Sequence, residues 1–257
     1  MTSVHPVAVV HPKAQIGSGC EIGPYCVIGE HVTLGDNCKL YAHVVVDGYT
    51  VLGQRNEIFP FAAIGLKTQD LKWKGGVTHL RIGDDNVFRE GVTIHSATKA
   101  GEVTVVGSHN LLLTHVHIAH DCRLGNHIIM SGFAGLAGHV VVEDYATLGG
   151  YTAVHQFCRI GTLSMTGGCS RIPQDVAPFI IVEGNPAAAR AINKIGLERA
   201  GLSEAAQTAL RTAYKIIFRE EVMASQALAR VEAELSAFPE VKHLVEFIRS
   251  SERGICK

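Results

Sequence analysis

Charge and aromatic side chains are both scarce in this chain. Of its 257 residues only 18% are charged, and the net charge is −1. That balance gives no global electrostatic case for a nucleic-acid partner. Aromatic residues make up 6%, with a single Trp at position 73, so the core must be packed with aliphatics. No stretch is long and apolar enough for a membrane span, and no charged region followed by an apolar run marks a secretory start. The seven cysteines show no pairing pattern, which points to a reducing, cytoplasmic setting rather than a disulfide framework. A nucleophile elbow is also missing, and no Ser or Cys near the histidine-rich segment has an evident activating neighbour.

What the chain does have is a beat of six. Val4, Val10, Ile16, Ile22, Ile28, Leu34, Leu40, Val46, Leu52, Ile58 and Ile64 are evenly spaced, and the series resumes through Ile82, Phe88 and Ile94. From Val106 it continues in phase to Ile172. A period of six fits neither an amphipathic helix nor a simple alternating strand. It marks a hexapeptide parallel β-helix, in which each repeat supplies one short strand and one turn. With the aliphatic residue as position one, three hexads close a triangular coil, and residues eighteen apart lie about 4.8 Å from each other. Position two is often Gly, read here as a need for backbone freedom in the turn. Position five should be small and inward-facing. Cys20, Cys26, Cys38, Cys122 and Cys158 all occupy it, so they read as packing residues. Cys169 and Cys256 stand outside that pattern.

Two interruptions break the beat without shifting its phase, near 66–80 and 96–104. Insertions in a solenoid emerge as loops on one face and commonly carry function. The first is the richer, with Gln69, Asp70, Lys72, Trp73 and Lys74. The prism is expected over 1–186 and an α-helical C-terminal domain over 187–257. Within it, Ser203 is a candidate N-cap, and further helical patterns run from Ala224 to Ala237 and from Pro239. Arg190, Lys194, Arg199, Arg211, Lys215 and Arg219 make 187–219 locally basic. Such a row is either a solvated face or a dock for an acidic or phosphate-bearing partner.

The chemistry concentrates in 115–156. Coil arithmetic places Gly138 one coil beyond His120 and Gln156 one coil further, with His139 and His155 beside them. His120, His139 and His155 are therefore expected on one edge of the prism. His155 also takes position two, where Gly is favoured, and local rules break where function sits. Stacked surface imidazoles are the plain alternative. If the edge is a site, the histidines could converge on zinc, as in carbonic-anhydrase-type β-helix enzymes, or one could act as general base on a hydroxyl attacking a thioester. Their spread over successive coils suits an elongated substrate and favours the second.

At HIAHDC (117–122), AGHV (137–140), VHQFC (154–158), GGCS (167–170) and QDLK (69–72), the chain resembles the UDP-N-acetylglucosamine O-acyltransferases, and the likeness extends over essentially the whole length. The resemblance implies a left-handed prism, a homotrimer, and transfer of a 3-hydroxyacyl chain from acyl carrier protein to the sugar 3-hydroxyl, opening lipid A synthesis. No cofactor or metal is implied. His120 would be the general base, Asp121 its orienting partner and the Gly138 amide the oxyanion donor. Asp70, Lys72 and Gln69 would hold the sugar, and His117 and His139 would line the acceptor site. His155, Gln156, Asn193 and Arg199 would contact the nucleotide. Gly168 falls where side-chain bulk sets acyl length, and Gly implies a longer chain. The basic tail would dock the acidic carrier protein. Ile195 and Ala200 depart from the family pattern, which commonly has an acidic residue and a second Arg there. Amide formation on a 3-amino sugar analogue, a zinc-dependent hydratase and a non-catalytic assembly module stay open as alternatives.

Overall fold

The beat of six folds into a three-sided prism. In a computed structural model describing residues 1–257, a typical hexad forms a two-residue strand whose second member is the inward aliphatic, as at Glu21–Ile22, Val27–Ile28 and Thr33–Leu34. Successive hexads join three different sheets of eleven, nine and eight strands. Ser3 pairs with Glu21, Val9 with Val27 and Gln15 with Thr33, all in parallel, so one coil is eighteen residues. The winding is left-handed, the reverse of the crossover that parallel strands ordinarily take. Both insertions keep the register: Ala63 pairs with Thr93, thirty residues on, and Thr93 with His117, twenty-four on.

Position-one side chains such as Ile28, Leu40, Ile58, Ile94 and Ile118 are buried along the axis, and the five position-five cysteines are fully buried beside them. Burial pushes the Cys122 thiol up to about 12, and Cys38 and Cys158 to about 11. These thiols stay protonated and act as small apolar groups. Cys256 is buried too, its N–H donating to the Asp175 carbonyl at 2.8 Å, whereas Cys169 is exposed.

Two features of the coil depart from expectation. Gly65 apart, the position-two glycines of the beat are not there for unusual φ. Apart from Phe179, every non-glycine residue with positive φ sits at position four, including Asn37, His115, Asp121 and His139. Position-two glycines are needed for close approach of successive coils instead. A Cβ on Gly35 would lie 2.6 Å from the Gly53 backbone, and one on Gly107 would lie 2.3 Å from the Gly125 carbonyl oxygen. The second feature is a polar core column at position five, where Asn56, Asn86 and Asn110 are buried. The Asn86 amide donates to Asn56 Oδ1 (2.9 Å) and to the Gly107 carbonyl (3.0 Å), and its oxygen accepts the Asn110 N–H at 2.9 Å.

Residues 187–192, expected to open the helical domain, are a strand. Ala187–Ile192 pairs antiparallel with Ile180–Gly184, which itself extends the prism by pairing with Met165–Thr166. The hairpin covers a sheet edge that the solenoid would otherwise leave open. Helix starts only after it, with α1 (Lys194–Arg199), α2 (Glu204–Phe218), α3 (Ala224–Leu235) and α4 (Pro239–Arg249). Ser203 does cap α2, its hydroxyl accepting the Ala206 N–H.

One ion pair ties α4 to the prism. His243 Nε2 lies 2.8 Å from Glu143 Oε2, which also accepts the Thr162 N–H. The hydrogen bond to Glu143 raises the His243 pKa, against the opposing effect of burial. A raised folded-state pKa contributes stability that is fully present below the unfolded value, about 6.5, and is lost as pH rises through the folded value. Melting temperature should therefore fall as pH climbs from about 6.5, and Glu143→Gln should flatten that part of the profile. Parallel profiles for the two proteins would remove this role.

Candidate active site

The site grows from the left-handed corner of the coil. Asp121 sits at position four with φ 61°, a left-handed conformation that side chains with a Cβ ordinarily avoid. Its N–H donates to Thr104 Oγ1 at 2.8 Å, and its carboxylate takes the Thr98 N–H at 3.2 Å from the second inserted loop. So anchored, Asp121 Oδ2 accepts from His120 Nδ1 at 2.8 Å. A carboxylate accepts only, so Nδ1 carries the proton and Nε2 keeps its lone pair.

Nε2 looks out over Gly138. A Cβ there would fall 2.3 Å from His120 Cε1, so only glycine admits the ring in this position. The Gly138 N–H has no hydrogen-bond partner within the chain, which leaves it free to meet a developing oxyanion. On the other side, Asp70 Oδ2 stands 3.8 Å from His120 Nε2. An Asx turn holds Asp70 in place, with the Lys72 N–H donating to its Oδ1 at 2.9 Å. The Thr68 and Thr98 hydroxyls, 2.9 Å apart and buried, tie that loop to the second insertion.

His139, one coil beyond Asp121 and likewise left-handed, stands edge-on to His120 at 5.2 Å and stacks on Phe157 at 4.6 Å. Burial lowers its pKa, and the nearby Asp121 carboxylate opposes that. His117 bonds Thr93 Oγ1 through Nδ1 at 2.8 Å, and burial lowers its pKa as well. Beside it lies His95, which the sequence reading overlooked. It is buried, donates from Nδ1 to the Lys67 carbonyl at 2.8 Å, and meets the His117 ring edge-on at 5.5 Å. Like His155 it is a histidine at position two, but so are His5 and His11, so the beat alone does not single it out.

Asp70, Lys72, Lys74, Lys99, Asp121 and His139 line a cleft of about 650 Å³, within the usual size range of small-molecule sites. Other expected site residues are placed apart from it. Gln69, His155, Gln156, Gly168 and Arg199 are exposed outside its lining, and His155 Nδ1 is engaged by the Gln156 carbonyl at 3.1 Å. Asn193 is buried: its amide donates to the Leu163 carbonyl at 2.8 Å and its oxygen caps α1. Three imidazoles do not converge on one point. The ligand-like trio is His120, Asp121 and His139, and Asp121 Oδ2 is already committed to His120 Nδ1.

Comparison with known proteins places this geometry. Residues 175–256 match the family model for domain 2 of UDP-N-acetylglucosamine O-acyltransferase, and residues 13–48 match the six-repeat bacterial transferase hexapeptide model. A curated acyl-[acyl-carrier-protein]–UDP-N-acetylglucosamine O-acyltransferase from Thermodesulfovibrio yellowstonii is 46% identical over 220 residues, 85% of each chain. The structure of LpxA from Acinetobacter baumannii superposes with a TM-score of 0.95 at 45% identity, covering 99% of both chains. That of LpxA, a UDP-N-acetylglucosamine acyltransferase from Bacteroides fragilis, gives 0.97 at 42% identity, covering 99% of this chain and 100% of that one. Likeness at this level, spanning prism and helical tail alike, makes the chain a member of the UDP-N-acetylglucosamine O-acyltransferase family.

Proposed function

We propose that this protein transfers a 3-hydroxyacyl chain from acyl carrier protein to the 3-hydroxyl of UDP-N-acetylglucosamine, the opening step of lipid A synthesis, in the cytoplasm. The observation that carries the mechanism is the 2.8 Å bond from His120 Nδ1 to Asp121, because it presents Nε2 as a base. His120 Nε2 takes the sugar hydroxyl proton as that oxygen attacks the thioester carbonyl. The Gly138 N–H stabilises the oxyanion. Collapse breaks the C–S bond, and the imidazolium returns its proton to the departing thiolate. Asp70, Lys72 and Gln69 hold the sugar, with His117 and His139 at its edges. His155, Gln156, Asn193 and Arg199 serve the nucleotide, Asn193 by setting α1 beneath it.

The active form in this reading is a homotrimer. Exposed columns of position-four rings, such as His115, Phe133 and Tyr151 stacked at 4.9 Å steps, supply apolar faces for subunit contact. Arg211 and Lys215 on α2 offer cations to the acidic carrier protein. Arg219 is instead engaged by the Arg190 carbonyl, to which it donates at 2.7 Å.

The test is turnover of UDP-N-acetylglucosamine with a series of 3-hydroxyacyl carrier proteins. Absence of an ester product with every chain length would sink the reading. Gly168 then decides the preferred length. A Cβ there meets nothing closer than the Gly150 carbonyl at 3.5 Å, so a larger side chain fits and projects outward. Gly168→Met should move the preference to a shorter acyl chain by about tenfold or more in relative kcat/KM, since several buried methylenes at about 0.8 kcal/mol each are at stake. An unchanged chain-length profile would remove Gly168 from this role.

A further inference from the structure

Three lysines crowd the mouth of the cleft: Lys72 and Lys74 from the first inserted loop, and Lys99 from the second. All three are exposed and none is in an ion pair. The neighbouring carboxylates face inward, Asp70 toward His120 and Asp121 onto His120 Nδ1 and the Thr98 N–H. Lys72 belongs to the sugar-holding motif already described; Lys74 and Lys99 have no role in it.

Their placement is fixed by the way the two loops are joined. The Gly101 N–H donates to the Val77 carbonyl at 2.8 Å, and Thr68 and Thr98 share a buried hydroxyl contact. The loops touch closely enough that a Cβ on Gly76 would sit 2.7 Å from the Ala100 Cβ. Lys74 and Lys99 thus reach the cleft from opposite loops on a common, braced base. Unpaired ammonium groups at the rim of a cleft favour a ligand with spread negative charge, and a phosphate is the group in the proposed reaction that fits.

We propose that Lys74 and Lys99 form a phosphate clamp at the mouth of the cleft. The clamp rests on the acyl-transfer reading, in which each substrate carries phosphate. One source is the diphosphate of the sugar nucleotide, and the other is the phosphodiester of the carrier protein's phosphopantetheine arm.

The test measures Lys74→Ala, Lys99→Ala and the double variant against three titrations: UDP-N-acetylglucosamine, acyl carrier protein, and free 3-hydroxyacyl-phosphopantetheine. Each single change should raise the KM of one phosphate-bearing substrate about tenfold, equal to about 1.4 kcal/mol, with kcat held within about twofold. Lys→Arg should keep most of the affinity, and the wild-type KM should rise with salt as the clamp is screened. A rise for the sugar nucleotide identifies its diphosphate; a rise for free acyl-phosphopantetheine identifies the arm. A rise seen only with the intact carrier protein would mean contact with its acidic face and would overturn the clamp, as would unchanged KM values. Calorimetry with UDP and with phosphopantetheine alone reads the clamp without turnover. Binding that weakens in the double variant upholds it even if no ester forms, and unweakened binding overturns it while leaving acyl transfer intact.

Discussion

His120→Ala is expected to lower kcat by about 10²–10⁴-fold, the usual contribution of a general base, with the melting temperature nearly unchanged. The imidazole lies outside the hydrophobic core and is held by one hydrogen bond to Asp121, so its removal takes away the base without opening the core. The KM for UDP-N-acetylglucosamine should move little, because the sugar's holders, Asp70 and Lys72, sit on a separate loop. Asp121→Asn makes the complementary point. Its amide nitrogen can donate where the carboxylate could only accept, so the Nδ1–H tautomer loses its support and Nε2 is no longer reliably the base. A large loss of kcat with intact binding is expected there too. Steady-state rates of ester formation, with purified acyl carrier protein as donor, decide the matter. Retention of more than about a tenth of the wild-type kcat by His120→Ala would be incompatible with a contribution of that size.

The same residues show how far the amino-acid sequence reaches. Phase was legible: the position-one aliphatics, the buried cysteines and both insertions lie where the six-residue beat places them. Phase also put Gly138 beside His120, because residues one coil apart must be neighbours. What phase could not supply is direction. Position four turns out to be the left-handed corner, and that is what aims Asp121 and His139 at His120. Nothing in the spacing distinguishes this corner from position two, where the glycines drew attention for a different physical reason. The insertions posed the same difficulty. Periodicity marked where they leave the prism, yet Lys99 meets the site only through loop-to-loop contacts that follow no period. Asn193 looked like a ligand contact by motif, while in the fold its amide is consumed by a helix cap and the Leu163 carbonyl. The strand at 187–192 was hidden by its alanines, whose local preference for helix is outweighed by pairing with the last rung of the prism.

The asparagine column yields a sharper prediction than any core aliphatic. Asn86→Ala is expected to destabilise the fold by about 3–5 kcal/mol, whereas Cys38→Ala, at the same position of another coil and equally buried, should cost about 1 kcal/mol. The difference lies in what each leaves behind. Cys38 offers the Gly53 carbonyl one weak S–H contact at 3.2 Å, and its loss removes little beyond a sulfur's packing. The Asn86 side chain serves three partners: Asn56 Oδ1, the Gly107 carbonyl and the Asn110 N–H. The Asn110 N–H is left without its partner, at about 1–3 kcal/mol, and the two oxygens, which keep the Asn86 and Gly83 backbone N–H donors, each lose a hydrogen bond of about 0.5–1.5 kcal/mol. Relaxation of neighbouring coils recovers part of the sum, which brings it to the stated range. That is a large fraction of a typical folding stability of about 5–15 kcal/mol. Denaturant midpoints of the two variants, compared at one protein concentration, read the contrast directly. Equal shifts would mean that the column's hydrogen bonds are replaceable, and that the prism is held at this corner by packing alone.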